Sequence, residues 1–502
     1  MAAPQPALRT VSRTPDLKRG HAGTAVVTVA PQEFQLLSID YAQGEADLNT
    51  AFFFAPLQSR RHRRRLRVGR ITAALHRAAE QFPILLGHTV CDNGAGWRVV
   101  VDPDNINWPV VTEAWTCGPT IAALGRAGFA WGAWPAETHS PDLNTYDSRP
   151  MLGVHIVHYP CGGSSVHAKV RHLAMDGNGV WRFYDMWARN SAAELWGHRR
   201  CKPLVSPSSF ATGHPLLDRS LLADRLRVAS GASDGSASSA SSAREYIDGI
   251  MRLFREAGRS APQKHGAMPE PFAAHRFSLT DAAVARLKQQ HGDLEACSPA
   301  HMRFVRAHGI DYVSTNDLVC ALFWRAIARA HHVLRPTDPL TCVMIACDVR
   351  GRVGVPPRYS GNASYPLFVH STKAELARQT LTDTATRIRQ HVAAVTPELV
   401  ALTADFMASP ESRQGLVSMI DPARAFFSAS IVNGIPMYAM SDFGFGRPVH
   451  VGIPAYLIPG FSIWMPARPA DQSTYIKLAL TDSVFALVKS DPEFRQFVDV
   501  MH

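Results

Sequence analysis

The sequence lacks the features that mark metal-binding and disulfide-rich chains. Its 8 cysteines are scattered over 502 residues, and no two of them form a C-x-x-C pair. Such spacing excludes a dense disulfide framework and argues against a structural zinc site. It is typical of reduced thiols in an intracellular protein, and we expect no bound metal.

Long apolar runs are also missing. The N-terminal segment is positively charged, but no apolar stretch follows that would make a secretory signal. The uncharged runs 425–440 and 450–467 are interrupted by residues such as Pro436 and Pro459, which favours strands and turns over membrane spans. The final letters DVMH are not a peroxisomal address of the S-K-L type. We therefore expect a cytoplasmic protein without a membrane span.

Charged residues make up only 19% of the chain, yet the formal net charge is +10. Part of the excess lies in the arginine run at 60–70, just before an apolar-periodic helix. Nucleic acid or an anionic membrane is one interpretation of such a run. We favour a solvated face at a helix start, because nothing else in the sequence resembles a nucleic-acid module.

The length and an apolar fraction of 46% predict two domains with sizeable cores. Strand-like and helical patterns alternate from about residue 24 to 215 and resume near 271. Between them, residues 229–243 are nearly all Ala, Ser and Gly, which is typical of an exposed flexible linker. The predicted division is a first lobe at 1–215, a crossover linker at 216–270 and a second lobe at 271–502.

Two local patterns are specific enough to suggest a function. Three H-x-x-x-D matches occur, beginning at His88, His172 and His214, and only the second has glycine after the aspartate. It follows a predicted strand and precedes a predicted helix. The second pattern is D-F-G-F-G at 442–446. Because short motifs arise by chance, the pair in this order is stronger evidence than either alone.

The two motifs together resemble those of the BAHD acyltransferases, which carry H-x-x-x-D-G in the first half and D-F-G-W-G near the C-terminus. Other segments agree over nearly the whole chain: EQFPILLGH, HPLLDR, STNDLVCALFW and CDVRGRV followed by YSGNA. The resemblance implies an α/β fold of two similar chloramphenicol-acetyltransferase-like lobes. Their mixed sheets would be flanked by helices, with a tunnel at the lobe interface that acyl-CoA enters from one face and the acceptor from the other.

The resemblance also implies roles for individual residues. His172 would be the general base, since a neutral imidazole can take the acceptor proton and return it to the CoA thiolate. Asp176 would pair with Arg350 and fix the turn that aims His172. Gly177 would allow close packing at the turn and a backbone geometry costly for other residues.

The C-terminal motif is structural by the same resemblance. Asp442 would make an ionic contact that stabilises the lobes, and Gly444 and Gly446 would shape a tight turn. Phe445 stands where the family usually has tryptophan, which keeps an aromatic plug but loses the indole N–H donor.

Upstream, Ser430 falls on a hydroxyl position that can assist the oxyanion. Val432 replaces the tryptophan that often walls the acceptor pocket, so a more apolar, differently shaped pocket is expected. The residues that contact CoA are not identified from the sequence, although Arg and Lys near a tunnel mouth would attract its phosphates.

The sequence thus predicts a monomeric O-acyltransferase that uses acyl-CoA and a hydroxylated small-molecule acceptor, with a terpenoid alcohol or a sugar glycolipid as the first candidates. One alternative is condensation-type transfer from a carrier-protein thioester, against which the D-F-G-F-G motif speaks. The other is a non-catalytic binding protein of the same fold. The acyl-chain length and the acceptor stay open, because tunnel dimensions are not encoded in local side-chain spacing.

Overall fold

The structure is a computed structural model that describes residues 9–10, 31–41, 46–56, 68–92, 96–138, 142–196, 219–231, 237–259, 270–409, 424–454, 458–469 and 473–501. It divides into two compact units. The first comprises Met1–Ala223, Pro356–Asn362 and Ile435–Pro454, and the second Asp224–Val355, Ala363–Gly434 and Ala455–His502. The arginine run at 60–70 lies mostly outside the described residues, which resume at residue 68.

The first unit contains a six-stranded mixed sheet in the order β1-β6-β7-β8-β3-β13 and a three-stranded sheet in the order β2-β5-β4. Helix α5 begins in this unit and continues into the second. The elements are β1 (Arg9–Thr10), β2 (Gln32–Gln35), α1 (Ser38–Tyr41), β3 (Asp47–Phe54), α2 (Val68–Glu80), β4 (His88–Asp92), β5 (Gly96–Val101), β6 (Val110–Trp115), α3 (Ile121–Arg126), β7 (Leu152–His158), β8 (Ser164–Arg171), α4 (Gly177–Trp196), α5 (Arg219–Gly231) and β13 (His450–Gly452).

Strand β8, which leads into the H-x-x-x-D motif, is buried on both faces rather than on one. Val166, Ala168 and Val170 alternate on one buried face, as the sequence predicts. The opposite face carries Ser165 and His167, which are also buried and hydrogen-bonded to each other at 2.7 Å. Buried polar groups are tolerated where they are paired, and this pair allows polar side chains on the second buried face of the strand.

The second unit contains a seven-stranded mixed sheet in the order β11-β10-β12-β14-β15-β9-β16. Its elements are α6 (Ala237–Arg259), β9 (Phe272–Leu279), α7 (Asp281–His291), α8 (Pro299–Ala307), α9 (Thr315–Leu334), β10 (Leu340–Asp348), β11 (Ser364–Thr372), α10 (Lys373–Arg378), α11 (Leu381–Ala393), α12 (Pro397–Ala408), β12 (Ala425–Ile431), β14 (Phe461–Met465), β15 (Thr474–Thr481), α13 (Asp482–Val488) and β16 (Asp499–Met501). The mixed α/β class predicted from the sequence is confirmed.

Helix α9 is largely buried in the second unit, and the sequence predicts that Ser314 or Thr315 caps its start. Ser314 is its N-cap, and a capping box joins Ser314 to Asp317. Arg389 of α11 forms a two-pronged ion pair with the Asp317 carboxylate. Because the cap and the ion pair share one carboxylate, the helix start is fixed against its neighbour.

The segment 229–243, predicted to be a flexible linker, is largely helical. Helix α5 extends to Gly231 and α6 begins at Ala237, while residues 232–236 lie outside the described residues. Further along α6, Ile250, Leu253 and Phe254 are buried. Alanine has the highest helix propensity, so a helix anchored by this apolar stripe extends back through the Ala/Ser stretch.

Helix α6 also protects an open sheet edge. The hydroxyl of Tyr246 donates to the carbonyl oxygen of Phe368 at 3.0 Å and accepts from its backbone N–H at 2.9 Å. Phe368 lies on β11, the edge strand of the seven-stranded sheet. An unpaired edge would invite pairing with another chain, and this one hydroxyl satisfies both backbone groups of the residue.

The sequence pattern predicts a single helix from about residue 372 to 395, but the structure has two helices there. Helix α10 ends at Arg378, Gln379 is extended, and Thr380 caps α11. Each helix has its own capping box, Thr372 with Glu375 and Thr380 with Asp383. The T-x-x-E and T-x-x-D patterns therefore marked two starts, whereas apolar periodicity indicated only one.

The three-part division predicted from the sequence uses continuous segments, whereas each compact unit is built from three separate segments of the chain. Strand β13 pairs antiparallel with β3, with His450 opposite Phe53. This pairing places the D-F-G-F-G segment in the first unit, far along the chain from the rest of that unit. None of the helices in the described part of the chain combines the length and apolarity that a membrane crossing needs.

Candidate active site

His172 follows strand β8 directly and begins the turn that leads to helix α4. Its backbone N–H donates to the carbonyl oxygen of Ala46 at 2.9 Å. The side chain is half-buried, and its ring Nδ1 is buried with no hydrogen-bond partner among the described residues. Burial lowers the pKa of His172 below its ordinary 6.5, against the opposing charges of Asp176 and Asp40. At neutral pH the imidazole is therefore uncharged and able to accept a proton.

Asp176 ends the turn and caps the helix. It is 3% exposed, and its Oδ1 accepts the backbone N–H of Gly179 at 3.1 Å. Its own carbonyl oxygen accepts from the N–H of Val180 at 2.9 Å. A carboxylate in this position satisfies orphan donors of the first helical turn and interacts favourably with the helix dipole. The motif thus joins a strand end to a capped helix through a turn of fixed length.

Two glycines, Gly177 and Gly179, follow Asp176, and the structure shows a tight contact at the second of them. Gly177 is the first residue of α4 and does not adopt the left-handed region. A Cβ on Gly179 would overlap the carbonyl oxygen of Ser360 and lie 2.9 Å from the Cβ of Met175. A close approach is therefore present at Gly179, where the loop 356–362 packs on the helix, and close packing at Gly177 stays a prediction.

Replacing Gly179 by alanine is expected to destabilise the first unit, because the Ser360 backbone must move to admit the methyl group. Overpacking of this kind costs about 1–3 kcal/mol, which exceeds the gain of about 1 kcal/mol from alanine's helix propensity. Gly69 of α2 is a matched control, since nothing lies within 4 Å of its Cβ position. Urea unfolding should show Gly179→Ala less stable than wild type and Gly69→Ala at least as stable; equal stabilities of the two variants would contradict the close approach.

The side chain of Asn362 forms hydrogen bonds with the backbone of the turn. Its Nδ2 donates to the carbonyl oxygens of His172 at 2.9 Å and Leu173 at 3.2 Å. The same nitrogen donates to Oδ1 of Asp40 at 2.8 Å. Asn362 is fully buried, so water does not compete for these hydrogen bonds.

A buried ion pair completes the support. Arg219 donates from Nη2 to the carbonyl oxygen of Ala174 at 2.6 Å and from Nε to Oδ2 of Asp40 at 3.4 Å. The same Oδ2 accepts the backbone N–H of Leu37 at 2.8 Å. Asp40 is 1% exposed and Arg219 is 4% exposed. Three consecutive carbonyl oxygens of the turn, from His172 to Ala174, are therefore bonded to a network centred on one carboxylate.

No local pattern in the sequence connects the members of this network. Arg219 and Asn362 lie within the segments HPLLDR and YSGNA, to which the resemblance assigns no role in the turn. Asp40 lies in the otherwise uncharged segment LLSIDY. An acidic residue in such an apolar context is seldom buried without a partner, and that signal could have indicated it.

The D-F-G-F-G segment forms a loop closed by its own aspartate. Oδ1 of Asp442 accepts the backbone N–H groups of Gly444 at 2.8 Å and Gly446 at 3.0 Å. Both glycines have left-handed backbones, with φ of 93° and 88°, which other residues adopt only at a cost. The tight turn expected here is present, while the ionic contact expected for Asp442 stays a prediction.

Phe443 is the aromatic plug of this segment. It is fully buried and packs edge-on against Trp187 of α4, with ring centroids 4.7 Å apart. Phe52 and Phe54 of β3 contact it at 5.5 and 6.0 Å. Phe445, at the position where the resemblance expects tryptophan, is only half-buried and packs 6.4 Å from Phe54. Phenylalanine in place of tryptophan at position 445 therefore alters the periphery of this group of aromatic rings, while its centre is Phe443.

The remaining site candidates lie in the second unit. Nη1 and the backbone N–H of Arg350 both donate to Oδ1 of Asp348, at 3.1 and 3.0 Å. Ser430 is half-buried near the end of β12, opposite Ile463 of β14. Val432 follows that strand. The structure thus brings His172, Asp176 and Gly177 together with Asp442, Gly444 and Gly446 in one unit, and places Arg350 and Ser430 in the other.

Comparison with known proteins gives consistent results. The Transferase family model matches residues 138–495. Rosmarinate synthase of Plectranthus scutellarioides is 24% identical over 351 residues, which cover 69% of each chain. Anthranilate N-benzoyltransferase protein 2 of Dianthus caryophyllus is 23% identical over 71% of this chain and 70% of its own. The crystal structure of F. sporotrichioides TRI101 complexed with coenzyme A and T-2 superimposes with a TM-score of 0.66 at 18% identity, covering 93% of this chain and 99% of that one.

Proposed function

Since the chain belongs to the Transferase family, the BAHD acyltransferases, we propose that it transfers an acyl group from an acyl-CoA thioester to a hydroxyl group of a small specialised metabolite. The protein is an acyltransferase.

His172 acts as the general base. Its neutral imidazole removes the hydroxyl proton as the acceptor oxygen attacks the thioester carbonyl carbon, forming a tetrahedral intermediate. Collapse of that intermediate breaks the C–S bond and completes the ester, and the imidazolium returns its proton to the departing thiolate. Proton transfer by a positioned side chain contributes about 10²–10⁴-fold. The observation that carries this proposal is the half-buried ring, whose pKa burial lowers, at the start of a backbone-anchored turn.

Two other residues have supporting roles. Asp176 positions His172 through the helix cap and does not exchange protons with substrate, in agreement with its burial and its bond to the Gly179 N–H. Its pairing with Arg350 stays a prediction. Ser430 donates its hydroxyl hydrogen to the developing oxyanion, the kind of stabilisation that contributes most to many acyl transfers.

The acceptor is an apolar hydroxylated metabolite such as a terpenoid alcohol or a sugar glycolipid. The support for this choice is Val432, a small aliphatic residue where the family often has tryptophan. The protein acts as a monomer in the cytoplasm on free acyl-CoA.

The proposal is tested by measuring release of free CoA thiol from purified protein. Acetyl-CoA and longer acyl-CoAs are supplied with a panel of terpenoid alcohols, glycolipids and aromatic amines, and products are identified by mass spectrometry. We expect acceptor-dependent thiol release and an ester product. Amide formation alone would overturn the choice of acceptor atom. Activity only with acyl-carrier protein would indicate condensation-type transfer, and neither CoA binding nor turnover with any donor would favour the binding-protein alternative.

A further inference from the structure

We propose that Asp40 is a positioning residue for the acyl transfer: through Arg219 and Asn362 it fixes the backbone of the turn from which His172 is presented. The inference rests on the proposed function, because it concerns the residue that acts as base there. Asp40 lies 132 positions before His172 in the sequence and is linked to its backbone through the Asn362 amide.

The hydrogen-bond directions leave one arrangement of the network. The amide nitrogen of Asn362 faces two carbonyl oxygens and one carboxylate oxygen, all acceptors. The reversed amide would place its oxygen against those three oxygens and is excluded by repulsion. Two hydrogens serve three acceptors, so one hydrogen is shared between the neighbouring carbonyls of His172 and Leu173. The turn therefore cannot shift without breaking a bond to a buried group.

Charge explains why Asp40 is the centre. Arg219 is buried, and a buried guanidinium requires a carboxylate partner; Asp40 supplies it at 3.4 Å. The other carboxylate oxygen orients the Asn362 amide. Removing the charge of Asp40 thus weakens both its ion pair with Arg219 and its hydrogen bond with Asn362. Both of these partners donate to carbonyl groups of the turn.

These contacts bear on catalysis because of where they fall. They hold the carbonyl of His172 itself and those of the next two residues, while Ala46 holds the His172 N–H on the other side. The direction of a side chain follows its backbone, and a misplacement of about 1 Å can cost 10²-fold in rate. Asp40 also opposes the fall in the His172 pKa through its negative charge, which gives the network a second measurable effect.

The test compares Asp40→Asn with a matched control, Asp491→Asn. Asp491 is also a buried carboxylate paired with an arginine, but it lies in the second unit and contacts Arg329. Both variants should melt at lower temperature than wild type. For Asp40→Asn we expect kcat to fall about 10²-fold with the KM for acyl-CoA nearly unchanged, and the acid limb of kcat/KM to move to lower pH. For Asp491→Asn we expect wild-type kcat and pH profile.

Two further variants make every result decisive. Asn362→Ala removes the bonds to His172 and Leu173 while keeping the ion pair, and it serves if Asp40→Asn does not fold; its kcat should also fall with KM preserved. In a His172→Ala background, Asp40→Asn should cause no additional loss, since residues that act through one group are not additive. The inference would be overturned if Asp40→Asn or Asn362→Ala folded and kept wild-type kcat while His172→Ala lost activity. Wild-type kcat in His172→Ala would instead refute the proposed function.

Discussion

Replacing His172 by alanine is expected to lower kcat/KM for acyl transfer by about 10²–10⁴-fold, the range that a positioned proton acceptor contributes. The fold should survive, because the ring is only half-buried and its Nδ1 has no hydrogen-bond partner among the described residues. The turn is held by backbone groups, and alanine retains them. Thiol release under saturating acceptor, together with circular dichroism of the purified variant, measures both quantities.

His88 offers a matched control. It begins another H-x-x-x-D match, with Asp92, but lies on β4 and bonds through Nε2 to the carbonyl oxygen of Asn105 at 3.0 Å. His88→Ala should retain wild-type turnover. Full activity in His172→Ala, or an equal loss in both variants, would show that the motif does not identify the base.

The pH dependence of the wild type follows from the same residue. A base must be neutral, and burial lowers the pKa of His172 below 6.5. Its neutral fraction is therefore retained as pH falls through 6.5 and is lost only below the lowered pKa. We expect kcat/KM to be level near pH 7 and to decline on the acid side below 6.5. An acid limb centred above 6.5 would contradict the burial of the ring.

Replacing Phe443 by alanine is expected to cost about 3–5 kcal/mol of unfolding free energy, the range for removing a fully buried phenylalanine. The ring contacts Phe52, Phe54 and Trp187, so its loss opens a cavity between β3 and α4. Because α4 begins at the turn that carries the proposed base, the damage should reduce activity as well as stability. Urea unfolding followed by tryptophan fluorescence reports the change directly.

Phe445→Ala is the control for that prediction. The residue is of the same type and lies two positions away, but it is half-buried. Losing roughly half of a phenylalanine burial costs about 1 kcal/mol. Similar losses for the two variants would mean that the loop itself, and not the Phe443 plug, stabilises the unit.

Local patterns predicted much of the architecture. Alternation identified the buried strand β8, and the candidate caps Ser314 and Thr315 indicated the start of α9. The same reasoning was wrong at 229–243, where composition suggested a flexible linker and the structure has the end of α5 and the start of α6. Composition describes what a segment can bury by itself, whereas this segment extends a helix anchored further along the chain.

The tertiary structure corrected the site in a similar way. Gly177 follows the aspartate but does not have the left-handed backbone expected of it, and Gly179 makes a tight approach to Ser360 that the motif does not indicate. The support of the turn comes from Asp40, Arg219 and Asn362, which no spacing rule connects.

The amino-acid sequence by itself determined the family, the mixed α/β class and the histidine on which the proposed chemistry depends, because these are written in residues a few positions apart. Only the tertiary structure decided that Gly179 lies against the Ser360 backbone, that Phe443 is the fully buried phenylalanine of its motif, and that Asp40 is the carboxylate that supports the turn. These features depend on contacts between residues that are far apart in the sequence and buried together in the fold. In such places a buried donor needs an acceptor and a buried charge needs a partner.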